Sequence, residues 1–497
     1  MTSPESLLES REWRGVWWLP EDPGTSVSGI LTYTPWLGLK LELIGAFEDR
    51  IWENVADAML QSVQRRETFP VIHGTCEGQP MTLMNVSPSG RQQYRTMLDA
   101  GYSEQNLDVA DAIFGAHVAS SSETTFSAFS CSIENLHVFA GAQSTSAEMR
   151  IDSATMRPTG EASIAIQTPK PVEVSLPWGT VTLRHLVTMP TQVDAYESRK
   201  VETNHSASLE FLPAEPFALD RVWGEIYTAQ DLLALALDCG PALSWVSGHV
   251  SEQAEGGHVQ GGPASRRVWL FRNARGLPDR NRRLSPSGHG AFDATELPLE
   301  EVLPRWWEVV ERFQAACHMV LGSRYVEDHY LESMVVVAVA SAEAFHRQLP
   351  DAKPPFSRDD NLRRLSKAFD TLDAETAKWL RSIVPGGFSL AQRLDALAAR
   401  LPAQTASRLL PNPKAWVKAA KESRNGLMHA GRDEGGCDRL VATLEVTRAV
   451  VTVNLLVELG LSDQQLVNAL DNAKGLRSAS RQAQMHFPTP AQASAAR

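Results

Sequence analysis

Apolar and polar positions alternate with a period of two along much of the first half of the chain, and a period near 3.6 takes over in the second. Leu39, Leu41 and Leu43 are separated by Lys40 and Glu42, as expected of a strand with one face buried. Pro35-Trp36-Leu37-Gly38 divides that run from another at 30–33 and predicts a strand–turn–strand unit. Further strands are predicted at 71–73, 81–84, 126–133 and 181–187, and 201–211 alternates throughout. Many short strands punctuated by Gly and Pro imply a β-rich module over 1–215, sandwich-like or barrel-like in form.

Over 216–297 the signal is mixed, with a helical stretch at 232–237 and a strand at 268–271. The surrounding 256–290 is rich in Gly and Pro and carries Arg266, Arg267, Arg272, Arg275, Arg280, Arg282 and Arg283, opposed only by Asp279. That composition reads either as a solvated connection or as a basic strip that meets RNA phosphates. Helices are predicted at 300–321, 327–349, 360–383, 390–401, 414–423 and 437–460, punctuated by prolines near their starts and stops. Together they make an all-α bundle over 298–462. The stretch 463–497 drifts into Gln, Ala and Ser, which predicts a mostly disordered tail. The fold class expected is therefore α+β and multidomain, a β-rich module ahead of a helical bundle.

Composition narrows the function. The 497 residues are 43% hydrophobic and 21% charged, ordinary globular values, and the formal net charge of −12 argues against a generic nucleic-acid binder. Any nucleic-acid contact must come from a local patch. The five cysteines (Cys76, Cys131, Cys239, Cys317 and Cys437) are scattered and form no C-x-x-C pair, which suits a reducing cytosol and excludes a zinc ribbon. The first twelve residues carry four Glu or Arg side chains, so no signal peptide is expected there. The apolar run 334–340 is far short of a bilayer span, so no membrane role follows and the expected location is cytoplasmic. No phosphate-binding glycine loop is present. His73, His117, His137, His185 and His205 lack metal-ligand spacing, so neither metal nor cofactor is expected. Trp17-Trp18 and Trp306-Trp307 read as core aromatics at element starts rather than as base-stacking platforms.

The candidate chemistry lies in Arg424-Asn425-Gly426-Leu427-Met428-His429. On a helical wheel started at Trp416, Arg424 falls within the apolar arc at about 80°, and His429 lies about 140° further round. An unbroken helix would not bring the two onto one face. Either Asn425-Gly426 bends or ends the helix, or a second protomer supplies the partner. Arginine offers a permanently charged fork for phosphate oxygens, histidine exchanges protons near neutral pH, and the asparagine amide can orient either. That set suits attack by an RNA 2′-hydroxyl on its own phosphorus without a metal.

This hexapeptide, late in a helical domain and followed by a long helix, resembles the R-x4-6-H motif of HEPN ribonucleases. The upstream helix with Glu343 and His346 is also similar to that family. Gly15-Val16-Trp17-Trp18-Leu19-Pro20, 29–47, Ile72-His73-Gly74-Thr75 with Met81-Thr82-Leu83, and Phe114-Gly115-Ala116-His117 resemble the front module of ApeA-type anti-phage defence proteins. The resemblance implies a metal-independent endoribonuclease whose groove forms between two HEPN domains of a homodimer. Arg424 and His429 would be its central pair and Asn425 their support. Glu343 is either a further catalytic residue or an arginine-paired helix carboxylate. The front module would hold or sense a phage-derived trigger, and RNA cleavage would stop the infected cell. The competing expectation is a non-catalytic HEPN scaffold that dimerises and carries a partner-binding β module.

Overall fold

The computed structural model describes residues 6–47, 52–55, 58–61, 68–93, 103–195, 198–251, 265–273, 275–276, 290–326, 330–350, 358–384, 387–432 and 435–489. The chain divides into two compact units, Met1–Gln230 with Pro241–Arg283 and Asp231–Gly240 with Leu284–Arg497.

The first unit begins with β1 (Arg11–Leu19), β2 (Asp22–Thr34), β3 (Gly38–Ile44), β4 (Trp52–Val55), β5 (Ala58–Gln61), β6 (Phe69–Cys76), β7 (Gln79–Gln93) and β8 (Ser103–Phe114). It continues with β9 (Phe126–Ile133), the short helix α1 (Leu136–Phe139), β10 (Thr145–Ile151), β11 (Pro158–Ile166), β12 (Val172–Leu176), β13 (Gly179–Val187), β14 (Thr191–Ala195), β15 (Ser198–Glu202) and β16 (His205–Pro213). Helix α2 (Leu219–Leu237), whose residues from Asp231 onward belong to the second unit, β17 (Leu243–Ser251) and β18 (Ser265–Arg272) follow. The sandwich-like expectation resolves as a barrel. Strands β8, β3, β2, β1, β6 and β7 pair in that order, and β7 pairs back onto β8 to close the ring. Its core is aromatic and aliphatic: Trp13, Trp17, Leu31, Tyr33, Leu41 and Leu107 are buried, and Leu39, Leu41 and Leu43 point inward as their alternation predicts. Gly74 is required beside Trp17, because a Cβ there would stand 2.3 Å from the indole ring.

The far end of β8 carries the sheet onward. Asp111 to Phe114 pair with β18, after which come β17, β9, β16, β13 and β12. Strand pairs β4–β5, β10–β11 and β14–β15 form separate two-stranded ribbons. Strand β17 escaped the sequence reading because Ser244, Ser247, Gly248 and His249 dilute its apolar alternation. The mixed 216–297 region thus contributes α2 and two sheet strands to ordered structure.

The second unit is helical: α3 (Leu299–Gly322), α4 (Leu331–Arg347), α5 (Arg358–Phe369), α6 (Ala374–Ile383), α7 (Leu390–Ala399), α8 (Ala403–Leu409), α9 (Pro413–Ala430), α10 (Cys437–Glu458), α11 (Asp463–Asn472) and α12 (Lys474–His486). Helix α10 is its axis, buried from Val446 to Leu456 with only Arg448 half-exposed, and packed by α3, α4, α9 and α12. It is long and apolar enough to cross a bilayer, a property the shorter run at 334–340 lacks, but most of that apolar surface faces neighbouring helices. Phe313 of α3 stacks on Phe345 of α4 at 4.2 Å.

Two expectations need correction here. The helix expected over 360–383 is two, because Asp373 caps α6 by accepting hydrogen bonds from the Glu375 and Thr376 amides. The tail expected to be mostly disordered from 463 is helical as far as His486. Ser462 and Gln465 form a capping box, and Leu466, Ala469, Leu470, Leu476, Ala479 and Ala483 bury a continuous stripe. Alanine is a weak hydrophobic signal in a sequence but permits close helix packing, so the stripe reads as low complexity until its partners are seen. Residues 490–497 lie outside the described residues.

Candidate functional site

Helix α9 starts where Asn412 accepts from the Ala415 amide and Pro413 occupies the first turn. Its inner side is fixed by Trp416, buried and donating from Nε1 to Thr447 Oγ1 of α10 at 3.1 Å. Val417, Ala419, Ala420 and Ser423 complete the buried arc. That arc turns toward Ala419 and Ser423 and leaves Met428 56% exposed, so Arg424 lies on its flank, half-buried, not in its middle.

The helix neither bends nor ends at Asn425-Gly426. It continues to Ala430 and stops at Gly431, whose left-handed backbone (φ 67°) lets its amide reach Gly426 O. The first of the two routes by which Arg424 and His429 could converge is therefore closed. A different link is present within one chain. Arg424 Nη1 donates to Asn425 Oδ1 at 3.3 Å, which draws the guanidinium round the helix. Asn425 and His429 are four residues apart, about 40° on the wheel, so they are vertical neighbours. His429 is exposed in the last turn of the helix. Among the described residues neither Arg424 nor His429 pairs with a carboxylate. The nearby acid Glu422 is engaged by Arg439 at 2.9 Å and by Lys418 at 3.8 Å.

Beside this helix end the buried cluster Val335, Ala338, Leu440 and Leu444 is rimmed by partly exposed Leu331, Met334 and Leu427. Tyr330 is 83% exposed. The sequence did not mark these as surface residues, because an apolar residue meant for a surface looks like any core residue in a helical pattern.

Glu343 is ion-paired with Arg347 at 3.4 Å on α4. His346 is buried, with Nδ1 accepting from Arg393 of α7 at 3.2 Å and its ring meeting the Phe388 edge. Burial pushes the His346 pKa down, and the Arg393 charge adds to this. No hydrogen bond or ion pair joins Glu343 to Arg424, Asn425 or His429 among the described residues.

The seven arginines expected to form a strip are placed differently from one another. Arg266 donates to Gln79 at 3.0 Å, and Arg267 lies over Trp269 at 4.5 Å. Arg275 lies over Tyr227 at 4.9 Å. Arg272 is committed to the fold: it grips buried Asp111 with two bonds of 2.6 and 2.8 Å and stacks on Trp223. Burial pushes the Asp111 carboxyl pKa up, and the fork of Arg272 opposes it. Arg280, Arg282 and Arg283 lie outside the described residues.

In the front unit His73 and His117 stack at 4.5 Å, each bonded to a backbone carbonyl, and His185 meets His205 at 3.0 Å. Among the described residues no group of three or more His, Cys, Asp or Glu side chains has metal-holding geometry. Trp17 and Trp306 are fully buried in their cores.

The family model for ApeA N-terminal domain 1 matches residues 12–306, and that for the Apea-like HEPN domain matches residues 336–465. No curated protein matches the chain. The first match alone covers more than half of the sequence and the second takes in the whole of α9, so the chain belongs to the ApeA family, an ApeA N-terminal domain followed by an Apea-like HEPN domain.

Proposed function

We propose that this chain is an endoribonuclease of anti-phage defence that cleaves RNA by 2′-hydroxyl attack, with no metal in the reaction. The observation that carries the reading is the Arg424–Asn425–His429 constellation at an exposed helix end inside an Apea-like HEPN domain. Arg424 would hold the phosphate and stabilise charge on it, steered by Asn425. His429 would move the proton, a share worth roughly 10²–10⁴-fold in rate. The exposed side chains Tyr330 and Met428, with Val337 39% exposed, fit pairing of two HEPN domains about a two-fold axis. That pairing would set two copies of the constellation around one groove. Glu343 would act as a structural carboxylate on α4, and the location would be cytoplasmic.

The test is sequencing of RNA 5′ ends after induced expression, wild type against His429→Ala. New 5′-hydroxyl ends that disappear in the variant support the proposal, and identical end profiles reject it. With purified protein, cleavage should survive excess chelator, leave a 2′,3′-cyclic phosphate and stop at a 2′-deoxy position. Activity lost with chelator and restored by magnesium would point to other chemistry.

A further inference from the structure

Ribbon β10–β11 carries an apolar face turned to water. Every residue of β10 and all but the last of β11 are exposed. The register sets Ala147 opposite Ile164 and Met149 opposite Ala162, so these four side chains share one face with Ile166. Met149 is 61% exposed and Ile164 62%. The opposite face is polar, with Arg150 paired to Glu161 at 2.7 Å and Glu148 beside them. Two strands alone are marginal in water. Among the described residues neither outer edge of the ribbon pairs with another strand.

The size of this face weighs against a face-to-face pair of ribbons. Strands rise ~3.3 Å per residue and lie ~4.8 Å apart, so a seven-residue pair offers a face on the order of 230 Å². A stable interface between two copies needs about 800 Å² from each partner. Face-to-face pairing of two ribbons falls short by roughly threefold on those figures. An added strand needs no such area, because it gains main-chain hydrogen bonds along the edge and sets alternate side chains beside the apolar row. Exposed edges are commonly guarded by charge, proline or a bulge, and 162–166 (Ala-Ser-Ile-Ala-Ile) has neither charge nor proline, while the one irregularity in the register falls beyond Met149. We propose that β10–β11 is a docking edge for an extended polypeptide segment of a partner protein, one with apolar side chains at every second position. The inference stands apart from the nuclease reading and does not need it.

A random dodecapeptide library displayed on phage and selected on the purified full-length chain tests this. The expected selectants alternate apolar and polar residues and lack proline. The strongest of them, synthesised, should slow amide exchange within 145–151 or 158–166. Met149→Lys with Ile164→Lys should weaken its binding at least tenfold, while Glu148→Lys on the polar face leaves it unchanged. Should the double variant melt early, Ile164→Thr serves in its place, since threonine keeps strand propensity. Selectants without a period of two, protection elsewhere in the chain, or affinity indifferent to these face variants would overturn the proposal. So would a drop in oligomeric state of the unliganded double variant, which would make a second copy the occupant.

Discussion

The guanidinium groups of Arg272 and Arg424 divide the work of arginine in this protein. Arg272 neutralises a carboxylate that is 1% exposed, and removing one partner of a buried pair leaves an uncompensated charge. Arg272→Ala is therefore expected to lose about 3–5 kcal/mol of stability, read as a large drop in the denaturant midpoint of the front unit. Arg267→Ala, exposed over Trp269, should move that midpoint little. Equal midpoints for the two variants would refute the distinction. Arg424 instead presents its guanidinium at a helix flank, where among the described residues the Asn425 amide steers it and no carboxylate pairs with it. A hydrogen bond to a charged group is worth about 1.5–3 kcal/mol, so Asn425→Ala should slow cleavage roughly 10–100-fold with an unaltered melting temperature. Wild-type rates in that variant would remove Asn425 from the constellation.

Helix α9 shows how far the sequence could be read. Its start was legible from Pro413, and Trp416 and Ala420 marked part of its apolar arc, but the turn of that arc toward Ala419 and Ser423 was not legible. Its end was not, because Asn425-Gly426 is a turn dipeptide by local propensity, whereas in the fold the helix runs past it with Leu427 packed against the Val335 cluster. Gly431 is the actual stop, and an alanine there would have to adopt φ 67° although space is open around it. Gly431→Ala is expected to cost about 1 kcal/mol and to fray the turn that holds His429, lowering helical stability and activity together. If activity falls with no change in stability, the cap has another role. Helices α11 and α12 were illegible for a different reason, since alanine and glutamine carry little pattern until a neighbour is present. Deleting 463–497 is accordingly expected to uncover α10 and yield aggregated protein, whereas a disordered tail would be dispensable. Solubility and circular dichroism of the truncated chain separate the two.

At the scale of the whole molecule, the pairing proposed for the HEPN domain makes catalysis depend on assembly. Mixing Arg424→Ala with His429→Ala protein under subunit exchange should restore activity if one groove takes Arg from one chain and His from the other. It should stay dead if all four residues are needed. A monomer by light scattering that cleaves at full rate would end the shared-groove idea. Recognition of the β-rich module was legible because its strands alternate, but ring closure was not, since nothing local in β7 or β8 announces that they meet. That closure bears on biogenesis. All six barrel strands lie within the first 114 residues, while β18, which takes up the remaining edge of β8 at Asp111 to Phe114, is made some 150 residues later. Domains fold from the N-terminus during synthesis at about 5–20 residues per second. The ribosome-bound barrel should thus close first and wait roughly 8–30 s with a short stretch of β8 open, a template on which the rest of the sheet is laid. Protease protection of stalled nascent chains should appear once β8 has cleared the exit tunnel, well before β18 has been made.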